Sequence, residues 1–264
     1  MSLIGLINEL VPTGWPALVL VSARVIGVMV TAPMWSMQVL PANTRVAAAI
    51  VLTIALLPSA PVVPVPEEVL AIPGPVAVEL LLGIAIGLTA SLFLHGAAIA
   101  GEIVSVQMGL SIAGALAPST GVSGPGIGAL QSIMAIAIYF VLGGHLMLIR
   151  GMAESLHVIP PGGGLAFGAG MQNIVDMAAS TFVTAARVAA PLMVAMMLAN
   201  AVLAMLSRAV PQINTLMVAF PITIGLGFII FSASLPFLVR IMHEWVFGLP
   251  ADVERAISGF AVVR

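Results

Sequence analysis

Arg24 stands in the middle of an apolar run, Trp15 to Met34, where a guanidinium facing hydrocarbon costs about 2.5 to 3.5 kcal/mol on insertion scales. Its side chain must therefore meet protein, water or a carboxylate. Glu79 and Glu102 are the candidate partners. An ion pair inside a membrane protein can carry protons or tie one helix to another, and the tie is the preferred reading here. Asn200, in LANAVLAML, reads as an interhelical hydrogen-bonder before an ion ligand. Glu102 and Gln107 share one stretch and either line a passage or bond across a helix pair, the second being favoured. His95, His145, His157 and His243 are scattered, with no pair at ligand spacing, and His243-Glu244 is not followed by an HExxH pattern. There is no GxSxG elbow, P-loop or dinucleotide fingerprint, and no cysteine. These residues predict no enzyme, metal site or cofactor.

Between Glu102 and Arg150 no side chain is formally charged, and this interval holds GLSIAGALAPSTGVSGPGIG, Gly109 to Gly128. Surface connections are ordinarily polar and solvated. A connection rich in glycine, proline and serine that avoids charge points instead to irregular backbone buried in protein or lining a passage. It is the first candidate for the working part.

The elements that must position these residues are membrane helices. The chain has 264 residues, 61% hydrophobic and 7% charged, with a mean hydropathy of +1.22, far from the roughly 25% charged residues of soluble domains. All eight basic residues are arginine and the net charge is −2, which excludes a basic nucleic-acid surface. MSLIGLINELVP lacks a basic n-region, so the N-terminus is expected to be retained. Spans of about 20 apolar residues are predicted near 15–34, 77–100, 129–149, 182–206 and 215–238. Val46 to Leu57 reaches only about 18 Å as a helix and reads as half of a hairpin or a re-entrant piece. Pro58 to Pro75, with Glu67 and Glu68, reads as an aqueous loop, and Ile159 to Asp176, with PPGGGLAFGAG, as a flexible one. Gly83 and Gly87 in GIAIG give small-xxx-small spacing for close helix approach, and sixteen methionines suit irregular packing. The arginine distribution leans towards a cytoplasmic C-terminus.

Taken in order, SARVIGVMVTAPMWSMQVLPANTRVAAAI (Ser22 to Ile50), VELLLGIAIG (Val78 to Gly87), AGEIVSVQMGLSIA (Ala100 to Ala113), GGHLMLI (Gly143 to Ile149), ESLHVIPPG (Glu154 to Gly162) and APLMVAMMLANAVLAMLSRAVPQINTLMVAFP (Ala190 to Pro221) resemble the FliR family of flagellar export-gate proteins and its SctT-type counterparts in virulence type III secretion. The order and spacing over nearly the whole chain carry the resemblance; each element alone is weak. It implies an all-α membrane protein occupying 1–264 as a single domain. About six hydrophobic segments would form bent hairpins, like a FliP-like and a FliQ-like unit fused into a helical export-gate assembly. The implied partners are FliP, FliQ and FlhB homologues, with FlhA expected also, membrane lipid, and unfolded flagellar proteins as substrates. The implied place is the bacterial inner membrane, at the flagellar basal body.

Carried over by motif, the family's pore plug falls on Gly109, Leu110, Ser111, Ile112, Ala113, Gly114, Ala115, Leu116, Ala117 and Pro118, with Ile112 and Leu116 as its bulk. A plug of small apolar groups seals by packing and dewetting and moves aside without breaking ion pairs. The family often has an aspartate where Ala117 stands, so any charge-dependent opening is put in doubt. Arg45, from the family's VP-x-x-x-R element, and Arg208, Pro211, Gln212 and Asn214 are carried over as subunit-interface residues. For the last four a membrane-edge turn with a snorkelling arginine is the equal alternative. The close rival is the injectisome subunit. A more distant one is a small-solute secondary transporter with Arg24, Glu79 and Asn200 at a midplane site.

Overall fold

The computed structural model describes residues 14–36, 41–61, 73–109, 127–163, 167–209 and 215–261. Every element they form is helical: α1 (Gly14–Thr31), the single turn α2 (Pro33–Ser36), α3 (Ala42–Leu56, continued by a 3-10 turn Leu57–Ser59), α4 (Pro73–Gln107), α5 (Ile127–Val141), α6 (Gly144–Val158), α7 (Phe167–Ala209) and α8 (Thr215–Ser258). Among the described residues four helices are long and apolar enough to cross a membrane, Ala42–Ser59, Pro73–Gln107, Gly168–Ala209 and Pro221–Ser258, and a fifth span results if Gly128–Val141 and Gly144–Val158 count as one. The chain is an all-α, multi-pass membrane protein.

Several boundaries differ from the sequence prediction, each for a local reason. α1 stops at Thr31 because Pro33 disfavours helical geometry at the residue before it. Val46 to Leu57, expected as half of a hairpin or a re-entrant piece, lies within a longer helix. Pro41 is extended at ψ 146°, its carbonyl accepts the amides of Thr44 and Arg45, and the polar residues Asn43 and Thr44 become the first turn of an 18-residue helical stretch, Ala42–Ser59. The predicted span 129–149 is interrupted at Leu142-Gly143, where Gly143 has φ +75°. The predicted flexible connection 159–176 is largely structured, since α7 begins at Phe167. α7 runs through Pro191, and α8 through Pro221, Pro236 and Pro250, as membrane helices tolerate when neighbours absorb the lost bonds.

The contacts divide into two interleaved compact units, 1–92 with 143–179 and 246–264, and 93–142 with 180–245. In the first, α1 and α4 meet backbone to backbone. A Cβ on Gly83 would collide with the Arg24 carbonyl and lie 2.9 Å from the Gly27 Cα, and one on Gly87 would lie 2.7 Å from the Val28 carbonyl. Contacts advance together along both helices, so the two run in the same direction. The Thr31 hydroxyl donates to the Ile84 carbonyl at 3.2 Å. α6 approaches α8 through Gly151, where a Cβ would lie 3.3 Å from Val253. Asn173 of α7 donates to the Arg255 carbonyl of α8 at 2.7 Å.

In the second unit Val104, Met108, Leu192, Met196 and Phe231 form a buried core. Phe93 stacks on Trp245 with ring centroids 4.4 Å apart, and Tyr139 adjoins the same indole at 5.9 Å. A glycine again sets an approach: a Cβ on Gly101 would lie 2.7 Å from the Gly128 Cα.

Because the atoms facing Gly83 are backbone, they cannot rotate away. Gly83→Ala is expected to lose about 1 to 3 kcal/mol, read as a lower midpoint of thermal unfolding in detergent. Gly74→Ala, with open space around it, should change stability by less than about 0.5 kcal/mol.

Candidate functional site

Two sites emerge, one in each unit, and both are built at the C-terminal end of a helix. The last carbonyls of any helix lack intrahelical partners, and burial in apolar surroundings makes leaving them bare costly.

At the end of α6 the donor is Arg24. The close α1–α4 crossing brings it against Glu79, with Arg24 Nε donating to Oε2 at 2.6 Å and the two side chains 2% and 0% exposed. Of the two candidate carboxylates, Glu79 is therefore the one it meets. The rest of the guanidinium fork closes α6: one terminal nitrogen donates to the Ser155 carbonyl at 2.9 Å and to its hydroxyl oxygen at 3.1 Å, the other to the Ile159 carbonyl at 2.8 Å. The second Glu79 oxygen accepts the Gly162 amide at 3.0 Å, and Gly162 sits at φ +83°. The turn after α6, read from sequence as flexible, is thus held from both sides. Planar geometry with five fixed donors explains why arginine stands here and not lysine. All these partners are protein groups and the pair is sealed, which suits a fixed tie better than proton passage.

At the end of α4 the donors come from α7 and α8. Leu192, Met196 and Asn200 repeat every four residues on α7, and Thr223, Gly227 and Phe231 do so on α8, so each set forms one stripe. Both stripes converge on Val104 and Met108 of α4. The Thr223 hydroxyl donates to the Met108 carbonyl at 3.2 Å, and Asn200 Nδ2 donates to the Gln107 carbonyl at 3.4 Å. Gly227 leaves room for the Met108 side chain, since a Cβ there would lie 2.5 Å from its terminal carbon. Gly109 ends the helix at φ +77°, as glycine commonly does at a helix C-terminus. The Gly128 amide donates to Ser105 Oγ at 3.3 Å. Gly109 and Gly128 therefore both lie beside the last turns of α4.

Residues 110–118 of the predicted plug, and Pro211, Gln212 and Asn214, lie outside the described residues; Gly109 is the plug residue that is described. Glu102 is exposed, and its carboxylate lies where a Cβ on Gly128 would be. Gln107 enters through its main-chain carbonyl, and Asn200 bonds across helices. Arg45 is half-buried on α3, and Arg208 is exposed in the last turn of α7, where a cation suits the helix dipole. Ser155 belongs to the ESLHVIPPG motif of the resemblance, whereas Ser105 and Thr223 are not expected from the sequence. Thr223 had one legible signal, its four-residue spacing from Gly227 and Phe231. Among the described residues no group of three or more histidine or acidic side chains could hold a metal ion.

Arg24→Leu strands Glu79 and two carbonyls, and is expected to cost about 3 to 5 kcal/mol. The double variant Arg24→Leu/Glu79→Leu should recover part of that loss. Thermal unfolding of the detergent-solubilised protein measures both, and a double variant less stable than Arg24→Leu alone would contradict the pairing.

Residues 15–248 match the family described as bacterial export proteins, family 1. Curated relatives include the flagellar biosynthetic protein FliR of Escherichia coli strain K12, 27% identical over 90% of this chain and 91% of its own. That of Bacillus subtilis strain 168 is 27% identical over 91% and 94%, and that of Aquifex aeolicus strain VF5 is 28% identical over 84% and 86%. A match spanning both units, from α1 into α8, assigns this multi-pass helical chain to the bacterial export proteins, family 1.

Proposed function

We propose that this chain is a subunit of the flagellar type III export gate in the bacterial inner membrane. In this reading it assembles with FliP and FliQ homologues into the channel for unfolded flagellar substrates, with FlhB and FlhA homologues alongside. The observation that carries the proposal is the end-to-end likeness to relatives named flagellar biosynthetic protein FliR.

The physics of the long helices supports a partnered subunit. At about 1.5 Å per residue, the 43 residues of α7 and 44 of α8 reach about 65 Å, twice the roughly 30 Å of a hydrocarbon core. Yet apolar side chains stay exposed along α7, from Met171 and Val175 through Phe182 and Val194 to Met205. Lipid cannot cover so long an apolar surface on an upright helix, and partner helices can.

The plug is proposed on 109–118, with Ile112 and Leu116 as its bulk and steric exclusion as its action. Its support is the motif, the absence of charge between Glu102 and Arg150, and the anchoring of both flanks, Gly109 and Gly128, at the end of α4. Arg45, Arg208, Pro211, Gln212 and Asn214 are proposed to meet neighbouring subunits. The bonding of Arg24 and Glu79 to each other and to α6 weighs against a solute site built from them.

Mild-detergent purification from native membranes, with intact-complex mass, tests assembly. FliP and FliQ homologues should accompany one copy of this chain, and a monomer without them would refute the reading. Deleting Ile112 to Leu116 should leave the complex assembled but leaky to small ions; an assembled, tight deletion variant would remove the plug.

A further inference from the structure

We infer that the first unit carries a binding site for one acyl chain of a membrane lipid, in a cavity between α4 and the start of α7. The cavity has a volume of about 210 Å³, and among the described residues only apolar side chains line it. Leu81, Ala85 and Leu88, spaced by four and three, share one face of α4 and form one wall. Met171 and Ile174 of α7 form the other, and Phe260, just beyond α8, completes it. All these residues belong to the first unit. Both walls are pinned, so the space is built into the fold. A Cβ on Gly170 would collide with the Phe260 ring, and Asn173 donates to the Arg255 carbonyl at 2.7 Å. The opposite wall is held where Gly27 and Gly83 press α1 onto α4 beside the Arg24–Glu79 pair.

Chemistry and shape select the ligand. An apolar cavity of about 150 Å³ lined by leucine, isoleucine and phenylalanine stays dry and takes small apolar molecules, and this one is larger. Residues 81 to 88 advance about 10 Å along α4, so the volume spread over that length leaves a cross-section of about 20 Å². That admits one hydrocarbon chain and excludes a helix, which is about 10 to 12 Å across. Leu81 and Met171 at the rim are 45% and 54% exposed, and both walls belong to helices long and apolar enough to cross a membrane. What reaches the rim is therefore bilayer hydrocarbon. A single side chain from a partner protein is too short to fill a slot about 10 Å long. The site stands apart from the export-gate reading and needs no partner subunit.

The probe is phosphatidylethanolamine with a photoactivatable diazirine at the end of one acyl chain. It is added to the full chain purified in mild detergent with whatever accompanies it from native membranes. After excess lipid is washed away, illumination and peptide mass spectrometry locate the label. It should fall on Ala85, Leu88 and Ile174, and not on exposed Met197 and Val202, from which loosely held lipid washes off. Ala85→Leu fills the cavity from its wall, and displacing two methylenes of the acyl chain should lower labelling there about 15-fold. Met171→Trp, at the exposed rim, should lower it too without disturbing the fold. Label on Met197 and Val202 alone overturns the inference and means that protein, from this chain or a partner, fills the cavity. Equal label on Leu88 in the wild type and Ala85→Leu overturns it as well, as general lipid contact. If Ala85→Leu does not fold, Met171→Trp decides, and unchanged label at Leu88 in that variant removes the site.

Discussion

In a protein whose surroundings are mostly apolar, the ends of helices are the weak points, because their last carbonyls have no water to turn to. The two polar centres of this chain answer that constraint with different chemistry. α6 ends on a guanidinium whose charge is balanced by Glu79. α4 ends on two neutral donors from neighbouring helices and a left-handed glycine. The neutral solution costs little desolvation and is easily undone. The ionic one is expensive to bury and more expensive to break.

Both centres depend on glycine for their geometry. Arg24 reaches Glu79 because Gly27 and Gly83 let α1 and α4 touch, and Met108 seats beside Thr223 because Gly227 clears the space. The small residues set the distances, and the polar residues then use them. This is the membrane mode of helix association, in which close approach and a few internal hydrogen bonds replace hydrophobic exclusion.

Composition and apolar run length made the all-helical membrane class legible, and the ordered motifs made the family so. Arg24 in an apolar run announced a buried partner by its cost alone, and GIAIG announced a close crossing. Other features were hidden for physical reasons. Asn43 and Thr44 look like loop, yet the Pro41 carbonyl recruits them into α3. The glycines near 162 look flexible, yet the Gly162 amide is held by Glu79, 83 residues away in sequence. Beyond its spacing from Gly227 and Phe231, Thr223 gave no sign of its bond, because a threonine on an apolar helix ordinarily bonds its own backbone, as Thr89 and Thr184 do here; the Met108 carbonyl it reaches is 115 residues away.

The Arg24 cluster also imposes an order on biosynthesis. Its carboxylate follows it by 55 residues and Ser155 by 131. At about 5 to 20 residues per second, a newly made Arg24 waits about 3 to 11 s for Glu79 and about 7 to 26 s for the end of α6. Over that interval its guanidinium lacks its carboxylate, and the cost of about 2.5 to 3.5 kcal/mol disfavours α1 settling deep in hydrocarbon before α4 arrives. The helix that carries Arg24 is thus locked only after α4 and the end of α6 have been made.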